Sequence, residues 1–207
     1  YPEQMKSDLP ARFVGVASRM EITGTPFILG TPFDVTGEVI PPYPLSAVAH
    51  SVAVIHKDGN DFGEDKITRR ALLQLYGKPA FHLELAERLG YTGTTEHIRG
   101  EFNDAVADAS YFFFRYHGST GYGPGVVRKT NYPVYSMIDV LEGKIGANEL
   151  KGKVILVGTM SKNDSADFAF TPYSKRAFMN PKLVVHANIL DSIIHQNGVL
   201  RAPVWMN

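Results

Sequence analysis

Between Lys153 and Gly158 the chain reads Lys-Val-Ile-Leu-Val-Gly, with four apolar residues and no polar break. A membrane span needs about 18 or more such residues, so this run is far too short to be one. It also lacks the alternation of a half-buried strand. A continuous run of this length predicts a strand covered on both faces, as in a parallel sheet. No other feature constrains the fold as much.

The remaining segments punctuate the chain into strands and helices. Residues 12 to 17 (Arg-Phe-Val-Gly-Val-Ala) read as a short strand. Residues 25 to 43 are proline-rich, with Pro41 and Pro42 in tandem, and read as an extended surface connection, since consecutive prolines disfavour helix and central strand. His50 to His56 reads as a β-branched strand. A polar stretch, Lys57 to Lys66, separates it from a second strand over Arg70 to Tyr76, and a hairpin with a long loop is the simplest pairing. Phe81 to Leu89 is an amphipathic helix stopped by Gly90. Tyr111 to Tyr116 (Tyr-Phe-Phe-Phe-Arg-Tyr) is a strong strand signal. In Pro133 to Gly143, Ser136-x-x-Asp139 reads as a capping box, with Gly143 as terminator. Val184 to Gln196 is the clearest helix. His186, Leu190, Ile193 and Ile194 share its apolar stripe, flanked by Ile189, while Asn188, Asp191, Ser192 and His195 fall on the opposite face. The expectation is an α/β fold with a mixed, partly parallel central sheet and helices packed on it. It forms a single domain over residues 1 to 207.

Composition excludes whole classes of function. Lysine plus arginine number 21 and aspartate plus glutamate 21, so the net charge is zero. Nucleic-acid binding wants a basic surplus, which is absent. Cysteine is also absent, which removes thiolate zinc sites, iron–sulfur clusters, disulfides and cysteine nucleophiles. The chain starts at Tyr1, without a signal-peptide pattern, and reads as a processed or excised piece.

Enzyme signatures are missing: there is no G-x-S-x-G, no G-x-x-x-x-G-K-[ST] and no H-E-x-x-H. The glycine-rich segment Gly121 to Gly125 has the wrong spacing for a phosphate fingerprint and reads as a plain loop. Asp58, Asp61, Glu64 and Asp65 could offer oxygens to calcium, but the EF-hand spacing fails and a solvated loop is the simpler reading. The best site lies at Thr159 to Asp167, after the apolar run, because ligands gather at the carboxyl ends of strands in open α/β sheets. Thr159, Ser161, Asp164 and Asp167 supply hydroxyls and carboxylates there, although Asp167 could equally brace the loop. Arg115 is a charge inside an aromatic strand. It must pair or reach solvent, and it is expected to join Asp164 or Asp167 or to receive an anion. His117 and His186 complete the candidate set. Asp139 is assigned to capping. No cofactor or metal is implied.

Four stretches carry a family likeness: Phe114-Arg-Tyr-His-Gly118; Tyr135-Ser-Met-Ile-Asp-Val-Leu-Glu-Gly143; Leu150-Lys-Gly-Lys-Val-Ile-Leu-Val-Gly158 followed by Asp164 or Asp167 and Thr171-Pro172; and Val185-His-Ala-Asn-Ile-Leu-Asp191. In order and spacing they resemble the CHASE domain of the second type, the cyclase/histidine-kinase-associated sensory extracellular domain of bacterial receptors. The likeness is strongest over residues 111 to 201. Departures are Pro181-Lys182 in place of Pro-Gly and Val184 in place of a glutamate. The family's opening strand and helix are not found.

The resemblance implies a sensory module outside the cytoplasmic membrane, on its periplasmic or extracellular face, joined by flanking transmembrane helices to a nucleotide cyclase, histidine kinase or diguanylate cyclase. Its partner would be a small molecule or ion, with a homodimer as a further option. The domain itself would not be an enzyme. Two alternatives stand beside this reading. One is a small hydrolase pairing His186 or His117 with Asp164 or Asp167. The other is a ligand-free dimerisation or docking module.

Overall fold

Leu72, Ala80, Ala109 and Tyr111 are buried against one another, with Val54, Leu75, Phe102 and Ala107 packed around them. They come from segments far apart in sequence. The computed structural model describes residues 14–202, apart from 17, 21, 35–36, 39–45, 47–48, 57–64, 92–96, 119–130, 162–166, 174–175 and 177–178. The chain divides into two units. The first comprises Tyr1–Lys57, Arg70–Phe113 and Ile193–Asn207; the second comprises Asp58–Arg69 and Phe114–Ser192.

In the first unit, β1 (Ile28–Thr31) pairs in parallel with β4 (Ser51–Val54), and β2 (Phe33–Asp34) pairs antiparallel with β3 (Gly37–Glu38). The proline-rich stretch is therefore partly sheet. Pro26 and Pro32 sit just outside the ends of β1, where a missing N–H removes no ladder bond.

A four-stranded antiparallel sheet has the order β6-β5-β8-β7. Its strands are β5 (Arg70–Leu75), β6 (Lys78–Pro79), β7 (Glu101–Asp104) and β8 (Ala109–Phe113). Tyr76 and Gly77, both at positive φ (51° and 71°), make the two-residue turn from β5 to β6. Asp104 Oδ1 accepts from the N–H groups of Val106 and Ala107 and shapes the turn from β7 to β8.

Helix α1 (Phe81–Arg88) buries Phe81, His82, Leu83, Leu85 and Ala86, and it packs on β1, β4, β5 and β6. Its exposed face carries a Glu84–Arg88 ion pair at 2.7 Å, and Gly90 ends it at φ 76°. Here the sequence reading holds to within a residue.

Several expectations fail. Val14–Val16 and Ser18–Met20 are helical, so the strand read over residues 12 to 17 is wrong. A short apolar run does not separate helix from strand by periodicity. The expected hairpin between the His50 and Arg70 segments does not form, since β4 takes β1 as its ladder partner and β5 takes β6 and β8. One bond, from Leu72 N–H to His56 C=O at 3.3 Å, links the two segments.

The largest correction concerns the apolar run. Residues 153–158 form no ladder, and Val154, Ile155 and Val157 are 40%, 56% and 70% exposed. Among the described residues the parallel ladder is β1 with β4, so the α/β class and the mixed pairing stand although the segment that suggested them does not supply them.

In the second unit, Ile67 bridges Phe170 in parallel and Phe168 bridges Pro181 antiparallel. Two short helices follow one another, α2 (Met137–Leu141) and α3 (Ala147–Leu150), and neither buries a residue. Ser136 caps α2 by accepting from Ile138 N–H. The Asp139 carboxylate accepts from Lys144 at 3.1 Å instead of completing the expected box. Helix α4 (Lys182–Ile194) is the backbone of the unit. Among the described residues no helix is long and apolar enough to cross a membrane.

Candidate functional site

Burial alternates along residues 114–117. Phe114 and Tyr116 are buried, Arg115 is exposed and His117 half-buried. The two aromatic rings lie 4.8 Å apart, tilted by 51°, and the Tyr116 hydroxyl donates to the Thr68 carbonyl at 3.0 Å. This anchors one side of the segment in the core.

Helix α4 holds the other side. Ser192 Oγ accepts from Arg115 N–H at 3.0 Å and donates to Arg115 C=O at 2.9 Å. Asn188 Oδ1 accepts from His117 N–H at 2.9 Å, and its Nδ2 donates to Val184 C=O at 2.9 Å. Two side chains thus replace the neighbouring strand that an extended backbone would otherwise need. Asn188 and Ser192 are 2% and 0% exposed, so the polar face opposite the apolar stripe is buried at these two positions.

Next to them, the Asp191 carboxylate meets His117 Nε2 at 2.5 Å. Tyr132 also faces Asp191. Burial first, then the nearby Asp191 carboxylate charge, push the Tyr132 phenol well above its ordinary pKa and keep it neutral. The result is a half-buried corner of imidazole, carboxylate and phenol set on a clamped backbone.

A second cluster lies at Thr159 to Asp167. Thr159 Oγ1 donates to Asp167 Oδ1 and Ser161 N–H donates to Asp167 Oδ2, each at 2.7 Å. The Thr159 hydroxyl, then the Ser161 amide and the Lys182 charge, hold the Asp167 carboxyl below the usual carboxylate range. Both carboxylate oxygens are occupied, so Asp167 braces its loop. The segment before it is no buried strand, so the argument that placed a ligand at a sheet edge does not apply here.

The structure therefore joins Thr159, Ser161 and Asp167 in one place and brings His117 onto α4 in another. Asp164 lies outside the described residues. Arg115 does not reach Asp167: its guanidinium is exposed and makes no ion pair among the described residues. His186 is half-buried on α4 rather than sunk in the apolar core. The calcium reading falls mostly on residues outside the described set. Its described member, Asp65, is taken by Arg69 in a two-pronged contact at 3.0 and 2.7 Å. No group of three metal-ligating side chains occurs among the described residues.

Asp191, Tyr132, Asn188 and Ser192 were missed as site residues. The signal was present: Asn188, Asp191, Ser192 and His195 repeat at the spacing of a helical face, but that face was only placed opposite the apolar stripe and given no role.

In the first unit, a shallow depression of about 320 Å³ is lined by Gly24, Pro26, His50 and Arg88. His50 Nδ1 accepts from Phe27 N–H at 3.1 Å, and Arg88 is committed to Glu84. This depression contains none of the expected site residues.

No curated protein and no solved structure matches the chain. One family model, the CHASE2 domain, matches residues 11–207. Members of that family are extracellular sensory domains of receptors, and a match over nearly the whole length places this chain among them: the protein is a CHASE2 domain.

Proposed function

We propose that this domain is the extracytoplasmic sensor of a bacterial transmembrane receptor. A small ligand binding beside residues 115–117 shifts α4 and, through it, a cytoplasmic output such as a nucleotide cyclase, histidine kinase or diguanylate cyclase. The observation that carries this reading is the clamp of Asn188, Asp191 and Ser192 on residues 115–117. It couples a solvent-facing edge to one long helix through bonds that either form or break. A ligand moves such an equilibrium only by binding one arrangement more tightly than the other.

Sidedness is tested with an introduced cysteine, this domain having none of its own, against the unsubstituted receptor as background. Val106 is 99% exposed. In whole cells, Val106→Cys in the full receptor should react with a membrane-impermeant maleimide. Reaction only after lysis would overturn the extracytoplasmic placement. Coupling is tested by Asp191→Asn in the same receptor, which should change basal output severalfold. Unchanged output would sink the clamp as the transmitting element.

The exposed Val154–Val157 run favours a second element of the reading, self-association, since exposed apolar surface marks interaction sites. Sedimentation velocity should then show a dimer that Ile155→Ser weakens; a monomer at all concentrations would remove it. The hydrolase alternative, which pairs His186 or His117 with Asp164 or Asp167, loses ground because His117 meets Asp191 instead and Asp167 is engaged by Thr159 and Ser161.

A further inference from the structure

Residues 154–158 belong to no helix, turn or ladder, and none of their backbone N–H or C=O groups has a hydrogen-bond partner among the described residues. Val154, Ile155 and Val157 are β-branched, a composition that suits a strand. Exposure favours alternate positions. Ile155 and Val157 are more exposed than Val154, and Leu156 between them is half-buried. On the inner side, Gly158 lies close against Leu183 of α4. The run is an unpaired edge with an apolar outer face. It contains neither the proline nor the charge that commonly protects such an edge.

Its two ends carry opposite charge. Lys151 and Lys153 precede it, both exposed and without an ion pair among the described residues. Thr159 and Ser161 follow it and hold the Asp167 carboxylate, each through a bond of 2.7 Å. A segment that is cationic at one end, apolar in the middle and anionic at the other complements itself when turned end for end. Two copies running the same way would set Lys153 against Lys153, a repulsive pair. Two copies running antiparallel about a two-fold axis at Leu156 set Lys153 opposite Thr159, which holds Asp167, and Ile155 opposite Val157. That register keeps the outward residues of both copies on one face, and a slip of one residue would not. The zero net charge of the chain adds no general repulsion between copies.

We infer that residues 153–159 form an antiparallel ladder with the same residues of a second copy, with the two-fold axis at Leu156. The inference rests on the self-association proposed above and gives it a surface, a direction and a register. The contact is isologous, each copy offering the same patch to the other, so it yields a dimer.

The test combines sedimentation velocity over a concentration series with amide hydrogen exchange on the same samples of this chain. Alternate amides within 154–158, those facing the second copy, should slow in proportion to the dimer fraction. Under mild oxidation, Ile155→Cys mixed with Val157→Cys should form more disulfide than either variant alone, and Lys153→Cys alone should form little. Lys153→Glu should weaken the dimer severalfold, and Lys153→Arg should leave it intact. A dimer whose 154–158 amides exchange as fast as those of the monomer keeps self-association and overturns the ladder. Disulfides of Lys153→Cys with itself, as abundant as the mixed pair, would show parallel pairing and overturn the direction. A monomer at every concentration removes both readings. Slow exchange of these amides in a monomer also removes both, since another part of the same chain would then cover the run.

Discussion

Two apolar stretches of this chain have opposite fates. Ala109–Phe113 and the two aromatics that follow it are almost wholly inside, with Phe112 at 0% exposure, whereas Val154, Ile155 and Val157 lie largely in water. By hydrophobicity alone the second should bury at least as well. The difference is pairing. β8 has β5 on one side and β7 on the other, and beyond its end the backbones of Arg115 and His117 are held by side chains of α4. Residues 153–158 have no ladder on either side. Gly158, at the end of the run, lies against Leu183 of α4, where a Cβ would come within 3.2 Å of a methyl carbon. An apolar run is buried only where hydrogen-bonding partners are available for its backbone.

The comparison can be broken by substitution. Phe112→Ala should have the largest effect, a loss of about 3–5 kcal/mol in chemical denaturation, because a ring at the centre of a three-strand ladder leaves a cavity that its neighbours cannot fill. Ser192→Ala and Asn188→Ala should each cost about 1–3 kcal/mol, since each strands a backbone group of residues 115–117 away from water. A double variant whose loss falls well short of the sum would mark the two as one clamp. Ile155→Ser should cost no more than about 0.5 kcal/mol. Measured at concentrations where the chain is monomeric, a loss as large as that of Phe112→Ala would mean that the run is covered within the chain itself and that the contrast is false.

The smallest effect is a pH dependence. The Asp167 carboxyl is held below its ordinary value of 3.8, so its share of stability is present above that value and is lost as pH falls through the lower, folded one. Between pH 5 and pH 2, about the span over which carboxylates titrate, wild type should lose stability more steeply than Asp167→Asn. Parallel curves would show that the Thr159 and Ser161 bonds do not persist in solution.

Legibility in the sequence followed the range of the interactions. Helix α1 was readable because its apolar spacing, its Glu84–Arg88 pair and its Gly90 stop are local. β5 and β8 were readable as strands, but their partners were not, because pairing joins residues about 40 apart in the chain and the turn chemistry marks only β5–β6 and β7–β8. In the site, His117 and Arg115 were found from a charge and an imidazole in an aromatic run. Asp191 and Ser192 were lost because a polar helical face looks the same whether it meets water or an unpaired backbone. Thr159, Ser161 and Asp167 were grouped correctly by proximity in sequence, and the bracing role given to Asp167 as its bland alternative is the one the hydrogen bonds show.

The clamp on α4 also works as a measuring device. Asn188 and Ser192 are separated by one helical turn, about 6 Å of rise, and the residues they hold, His117 and Arg115, by two steps of extended chain, about 6.6 Å. The two repeats nearly coincide, so the contacts are satisfied together at one setting. Advancing the helix a turn in one direction would present Val184, which has nothing to offer a backbone amide. In the other direction it would present Gln196, which lies past the helix end at φ 51°. Neither neighbouring setting restores both bonds. A helix geared in this way has a single setting at which both residues of the edge are held at once.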